Sequence, residues 1–297
     1  MKAQSSLAQQ FSLHRSNESA NGLILMAICL VFFTGTGLLV RWVSVDHHVD
    51  TWTLVFARGF IGLIVIALWY GPRGDLKLTR VLYRPALIFR GVVGATGLMC
   101  YYWTIPRLGV GVATLVSNVY VLFGSLLAAL FLGEKLSIRQ LGWLVVSLAG
   151  VALLTNVQAT HSNAIWVALL GSVAAGNALM IIRYLHRTES TATIFAAQCV
   201  YAMAATLPIL IKQPPQLGGT VWVWIVVASV GAALGQLTLT QAFRTLTVTV
   251  GGAVNLTLPI WITLGGMLFF GERFSLLQVL GGALVLTGCF QVVLKRV

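Results

Sequence analysis

A chain of 297 residues with 58% hydrophobic content and only 9% Asp, Glu, Lys and Arg is not an ordinary water-soluble globule, in which about 25% of residues are charged. Its formal net charge of +12, from 19 Lys and Arg against 7 Asp and Glu, raises the question of a nucleic-acid partner, and the placement of the charges decides it. A mean hydropathy of +0.90 over the whole chain leaves no polar stretch long enough for a separate extramembrane domain.

In chain order, residues 1–21 read as a polar cytoplasmic tail. They lack the apolar core of a secretory signal and run straight into the first hydrophobic segment. A bilayer core about 30 Å thick needs about 20 apolar residues as helix. Segments of that kind lie at 22–40, 51–70, 86–105, 110–131, 138–157, 164–182, 191–211, 221–243, 248–270 and 276–293. The fold class expected is therefore an all-α polytopic membrane protein with ten transmembrane helices joined by short loops, so that neighbours pack antiparallel. Gly231 and Gly235, spaced as small-xxx-small, and Gly91, Gly94 and Gly97 mark faces of close helix approach.

Lys and Arg near span ends accumulate on the cytoplasmic side. With the N-terminus inside, the inner segments hold Lys2, Arg15, Arg73, Lys77, Arg80, Arg84, Lys135, Arg139, Arg183, Arg187, Arg244, Lys295 and Arg296, and the outer loops only Arg41, Arg107, Lys212 and Arg273. An even span count with both termini in the cytoplasm satisfies this bias, and the basic excess becomes an orienting rim with no nucleic-acid partner implied. The cysteines, Cys29, Cys100, Cys199 and Cys289, all lie in hydrophobic segments without a CxxC pair, which points to packing and away from a metal site.

The chain repeats itself. Leu132-Gly133-Glu134-Lys135-Leu136-Ser137-Ile138-Arg139-Gln140 recurs as Phe270-Gly271-Glu272-Arg273-Phe274-Ser275-Leu276-Leu277-Gln278, and Gly150 meets Gly288 in the same register. Thr51, Thr53 and Ala57 correspond to Thr191, Thr193 and Ala197, Gly94-Ala95 to Gly231-Ala232, and Arg41 to Arg183. The halves are 22–157 and 164–297, each with five spans. Five is odd, so the second half enters the membrane from the opposite side, the inverted repeat used by secondary transporters for alternating access. In the repeated element the Gly ends one span, Ser137 or Ser275 caps the next, and Glu134 or Glu272 sits in a tight turn beside a cation. Turn-making is the structural role expected of Gly133, Glu134, Ser137, Gln140, Gly271, Glu272, Ser275 and Gln278.

Two five-span halves, each closing on Phe/Leu-x-Gly-Glu-x-x-Ser-x-x-Gln with a downstream Gly, resemble the EamA-type members of the drug/metabolite transporter superfamily over essentially the whole chain after the tail. Arg58 in the second span and Pro259 in the ninth belong to the resemblance. Val121 stands where the fourth span would carry the matching Pro. The resemblance implies export or exchange of small organic metabolites through a central cavity lined by spans one to four and six to nine, with spans five and ten peripheral, in a bacterial inner membrane and without a cofactor.

Ionisable groups inside a bilayer are costly and default to functional candidates. All seven Asp and Glu and all five His fall in the tail, loops or turns. No enzyme is expected, because an intramembrane protease would need paired Asp, Ser with His, or zinc ligands in the spans. Two arginines are intramembrane. Arg58 is near the centre of the second span and is open to two roles, pairing with helix ends or facing a cavity as a substrate or gate residue. Arg90, one turn inside the third span, is expected to snorkel to the cytoplasmic headgroups.

The repeat aligns Gln198 with Arg58 and Asn255 with Ser117. With Asn118, Asn177, Gln236 and Gln241, and the flat surfaces of Tyr101, Tyr120 and Trp261, these side chains are candidates for a polar and aromatic substrate pathway; each has an interhelical or packing role as its alternative. Pro259 frees a backbone carbonyl and bends the ninth span, as a hinge or as a static kink. The function expected is a secondary transporter of a small organic solute working by alternating access. The alternative is a non-transporting membrane scaffold or sensor that keeps the fold.

Overall fold

The computed structural model describes residues 2–120, 122–124, 138–156, 162–185, 187–245 and 254–294, and among them all regular structure is helical. The helices are α1 (Lys2–Asp46), α2 (Thr51–Tyr70), α3 (Leu78–Tyr83), α4 (Pro85–Leu108), α5 (Val110–Ser117), α6 (Ile138–Asn156), α7 (Ser162–Leu185), α8 (Thr191–Lys212), α9 (Gly219–Thr245), α10 (Leu258–Phe270) and α11 (Leu276–Leu294). Leaving aside the six-residue α3, each overlaps one of the ten spans expected from the sequence, and α1 begins well before its span. Among the described residues, five stretches, Ala20–Asp46, Thr51–Arg73, Asn163–Ile182, Thr191–Lys212 and Gly219–Ala242, are long and apolar enough to cross a membrane by themselves.

Two local features depart from the sequence reading. The polar head is helical and continuous with the first span, since α1 begins at Lys2; Ala, Gln, Ser and Leu dominate it and no Gly or Pro interrupts before Gly22. The loop after α2 carries a 3₁₀ turn at Gly71–Arg73 and the short α3, whose Val81 is fully buried and accepts a long hydrogen bond from Tyr201 at 3.5 Å.

The second half is inverted relative to the first, and the helix packing shows it. Repeat mates are α1 and α7, α2 and α8, α4 and α9, α5 and α10, α6 and α11. Mates α2 and α8, α5 and α10, and α6 and α11 pack directly on each other. Six further contacts come in twofold-related pairs: α1 on α9 with α4 on α7, α4 on α8 with α2 on α9, and α1 on α10 with α5 on α7. The helix starts match as well. Asp50 Oδ1 accepts from the Thr53 N–H at 3.0 Å to cap α2, and Ser190 Oγ accepts from the Thr193 N–H at 3.1 Å to cap α8, which accounts for the repeated Thr-x-Thr.

Helices α6 and α11 pack mainly against each other, and the repeated downstream glycines are their contact. A Cβ at Gly150 would meet the Gly281 carbonyl oxygen at 2.6 Å, and one at Gly288 would meet the Trp143 carbonyl oxygen at 2.7 Å. Residue 150 beside 281 and 288 beside 143 define an antiparallel pair about a twofold axis. Gly288→Leu is expected to lower the thermal unfolding midpoint of the detergent-solubilised protein, by overpacking worth about 1–3 kcal/mol. Gly142→Leu, with nothing within 4 Å of its Cβ, is the matched control; equal midpoints for the two variants would remove this contact from the account.

Candidate functional site

The halves enclose a cavity of about 250 Å³ between α1, α2, α4, α5, α7, α8, α9 and α10. These are spans one to four and six to nine, while α6 and α11 stay outside. Of the sequence-derived pathway residues, Arg58, Tyr101, Ser117, Asn118, Tyr120, Gln198, Gln236 and Asn255 line this cavity. Three do not. Asn177 is half-buried and donates to the Val173 carbonyl of its own helix at 2.9 Å, Gln241 is exposed, and Trp261 is 55% exposed on the outer side of α10. Their helices bear the right residue types but turn these positions away.

Both intramembrane arginines face the cavity. Arg58 Nη1 donates to the Tyr102 hydroxyl at 2.8 Å, and its partner is thus a neutral phenol. Arg90 does not snorkel: it is 3% exposed and its Nη2 donates to Gln198 Oε1 at 2.9 Å. The side chain folds back along α4 into the space that a Cβ on Gly94 would fill. Gln198 in turn donates to the Gly94 carbonyl at 3.3 Å. The glycine stripe of the third span therefore has divided duties. Gly91 admits Tyr201 and the Ala197 carbonyl of α8, Gly97 admits Gly171 and Ala175 of α7, and Gly94 makes room for a guanidinium. In the same way Gly231 and Gly235 of α9 receive Thr36 and Phe33 of α1.

Spans four and nine are both interrupted at the cavity, and at equivalent positions. Helix α5 ends at Ser117 and a turn occupies 118–119; in span nine a turn occupies 256–257 before α10 starts at Leu258. The hydrogen bonds match one for one. Val119 N–H donates to Val116 and Leu122 to Val119; Thr257 donates to Val254 and Ile260 to Thr257. Pro259 lies in the first turn of α10, where its missing N–H is tolerated, so it marks a break and does not bend a continuous helix. Val121 does not spoil the equivalence of the halves, since span four breaks without a proline. Asn118 Nδ2 caps back onto the Thr114 carbonyl at 2.9 Å and Asn255 Nδ2 donates to the Tyr120 hydroxyl at 2.9 Å, leaving both Oδ1 atoms buried without a partner. Discontinuous membrane helices with polar backbone at a cavity are the usual construction of transporter binding sites.

The second copy of the repeated turn follows α10 directly. Gly271, at φ +62°, ends α10 in the left-handed conformation. Ser275 and Gln278 cap α11 reciprocally: Ser275 Oγ accepts from the Gln278 N–H at 3.3 Å and Gln278 Oε1 from the Ser275 N–H at 2.9 Å, a capping box. Glu272 goes beyond turn-making. Its carboxylate accepts from the backbone N–H groups of Val110 at 2.9 Å and Gly111 at 3.3 Å, the start of α5, and from Arg41 Nε of α1 at 3.3 Å. A carboxylate on a helix N-terminus is favoured by both hydrogen bonding and the helix dipole. This latch ties α1, α5 and α10 together. Gly133, Glu134 and Ser137 of the first copy lie outside the described residues; Gln140 lies in the first turn of α6, and its side chain is likewise outside them. Sequence reasoning missed Arg41 and the inward course of Arg90. Signals existed for both: Arg41 and Glu272 each have a repeat mate, and Arg90 stands four residues before Gly94, on the same helix face.

The model of the EamA-like transporter family matches residues 20–156 and again 162–294. The pseudopaline exporter of Pseudomonas aeruginosa is 29% identical over 276 residues, covering 91% of this chain and 94% of that protein. A probable terminal-alkyne amino-acid exporter of Streptantibioticus cattleyicolor is 28% identical over 129 residues, 41% of this chain and 42% of its own length. A solved crystal structure superposes with a TM-score of 0.65 over 95% of this chain and 99% of its own at 19% identity, a likeness of fold.

Proposed function

This chain belongs to the EamA-like transporter family, and from that premise we propose that it exports or exchanges a small organic metabolite across the bacterial inner membrane, by alternating access of the central cavity and with both termini in the cytoplasm. The observation that carries this reading is a cavity placed between two inverted halves, at the level of two matching helix breaks, with a carboxylate–arginine cluster on each side of the bundle, Glu272 with Arg41 and Glu189 with Arg80 and Arg84. Inverted halves of equal construction give two conformations related by exchanging the roles of the halves, so the cavity opens to one side and then the other. Outward direction follows the names of the relatives, which are exporters. By the positive-inside bias the latch of Arg41 and Glu272 lies on the outer face.

The test is a mass-spectrometric comparison of the medium of cells overexpressing this chain with that of deletion cells. One or more small metabolites should accumulate outside the overexpressing cells and inside the deletion cells. Identical media, together with a protein partner that co-purifies stoichiometrically, would instead make the chain a scaffold or sensor.

A further inference from the structure

Three of the buried nitrogen atoms without a hydrogen-bond partner belong to the two cavity arginines: Arg58 Nε, Arg90 Nε and Arg90 Nη1. A guanidinium stays protonated in a protein and offers five donors in a planar fork. The partners that these two have, Tyr102 and Gln198, are neutral and orient the forks without balancing their charge. Among the described residues lining the cavity none is acidic. Two unbalanced cations in one low-dielectric cavity repel each other and leave donors unmet, an arrangement that a protein keeps where a ligand supplies the counter-charge.

The two arginines come from different helices and have separate anchors: Arg58 is fixed from the Tyr102 hydroxyl, and Arg90 lies over Gly94 against Gln198. Two cations with separate orienting partners are balanced by two oxyanion groups, and a single carboxylate leaves one positive charge over. We propose that Arg58 and Arg90 form a two-point anion site, and that the solute carried through the cavity bears two separated oxyanion groups, one for each guanidinium. The proposal rests on the export reading for its transport consequence and on the cavity geometry alone for binding. Tyr102 and Gln198 are positioning residues in it.

The test is calorimetric titration of the purified full-length protein with the dicarboxylates from succinate to suberate, each against its own monomethyl ester. The ester keeps the length and removes one charge. The best-fitting diacid should bind about tenfold more tightly than its ester or better. Arg58→Gln and Arg90→Gln should each reduce that ratio to about one, while Arg58→Lys and Arg90→Lys, which keep the charge, retain part of it. Diacids and esters binding alike throughout, or a preference that survives either Gln substitution in protein with an unchanged unfolding midpoint, would overturn the proposal. The medium comparison separates it from the reading on which it rests. Neutral or cationic exported solutes end the two-anion site and leave export intact; Arg-dependent diacid binding with no exported solute leaves the site and ends export.

Discussion

Glu272→Gln is expected to slow solute exchange in reconstituted vesicles by about tenfold, because the carboxylate holds three charge-assisted bonds and hydrogen bonds to charged groups are worth about 1.5–3 kcal/mol each. The three run to Val110, Gly111 and Arg41, on two helices other than its own, so the loss falls on the conformation in which these helices are tied together. A shift of about 1.4 kcal/mol already changes the ratio of two conformations tenfold. Arg41→Gln should act in the same direction. The double variant should be little worse than the stronger single one, because both act on one cluster. A cysteine at Leu108, 4% exposed beside the latch, should react faster with a membrane-impermeant thiol reagent in Glu272→Gln than with Glu272 present. Unchanged exchange and unchanged labelling together would reduce Glu272 to a turn residue.

Gly94→Ala and Gly91→Ala, one helical turn apart, should fail in different ways. The added methyl at residue 94 meets the far end of a flexible side chain, the Arg90 guanidinium. The helix tolerates it and the arginine moves. Apparent affinity for the exported solute should fall about tenfold, the size of one charge-assisted contact, with the unfolding midpoint nearly unchanged. The methyl at residue 91 meets the Tyr201 ring and the Ala197 carbonyl oxygen, the latter at 2.8 Å, and backbone cannot move aside cheaply. Stability should fall by about 1–3 kcal/mol. Solute affinity unaltered in Gly94→Ala would remove Arg90 from the binding machinery.

What the sequence displays and what it hides follow from the range of the forces involved. Span positions, the inverted halves and the capping role of Ser275 are local, set by runs of apolar residues and by turn chemistry, and they are legible. The break in span four is not, because its proline equivalent is Val121; the interruption rests on Asn118 bonding its own helix at Thr114 and on tertiary packing. Pro259 signals a break at the right place and leaves open whether the helix bends or restarts. Arg90 is misread from depth alone, since one turn inside a span permits snorkelling and only the vacancy over Gly94 with Gln198 beyond it draws the side chain inward. Asn177, Gln241 and Trp261 show the reverse error: residue type suits a pathway, but rotation about a helix axis is fixed by neighbours that lie more than a hundred residues away for most of this bundle.

The most direct test of alternating access is trans-stimulation in proteoliposomes, using the solute that the medium comparison identifies. Vesicles preloaded with unlabelled solute should take up labelled solute faster than empty ones and overshoot equilibrium, because a loaded cavity returns carrying its exchange partner. Labelled solute entering preloaded and empty vesicles at the same unsaturable rate would mean an open pathway through the bundle and would contradict the account.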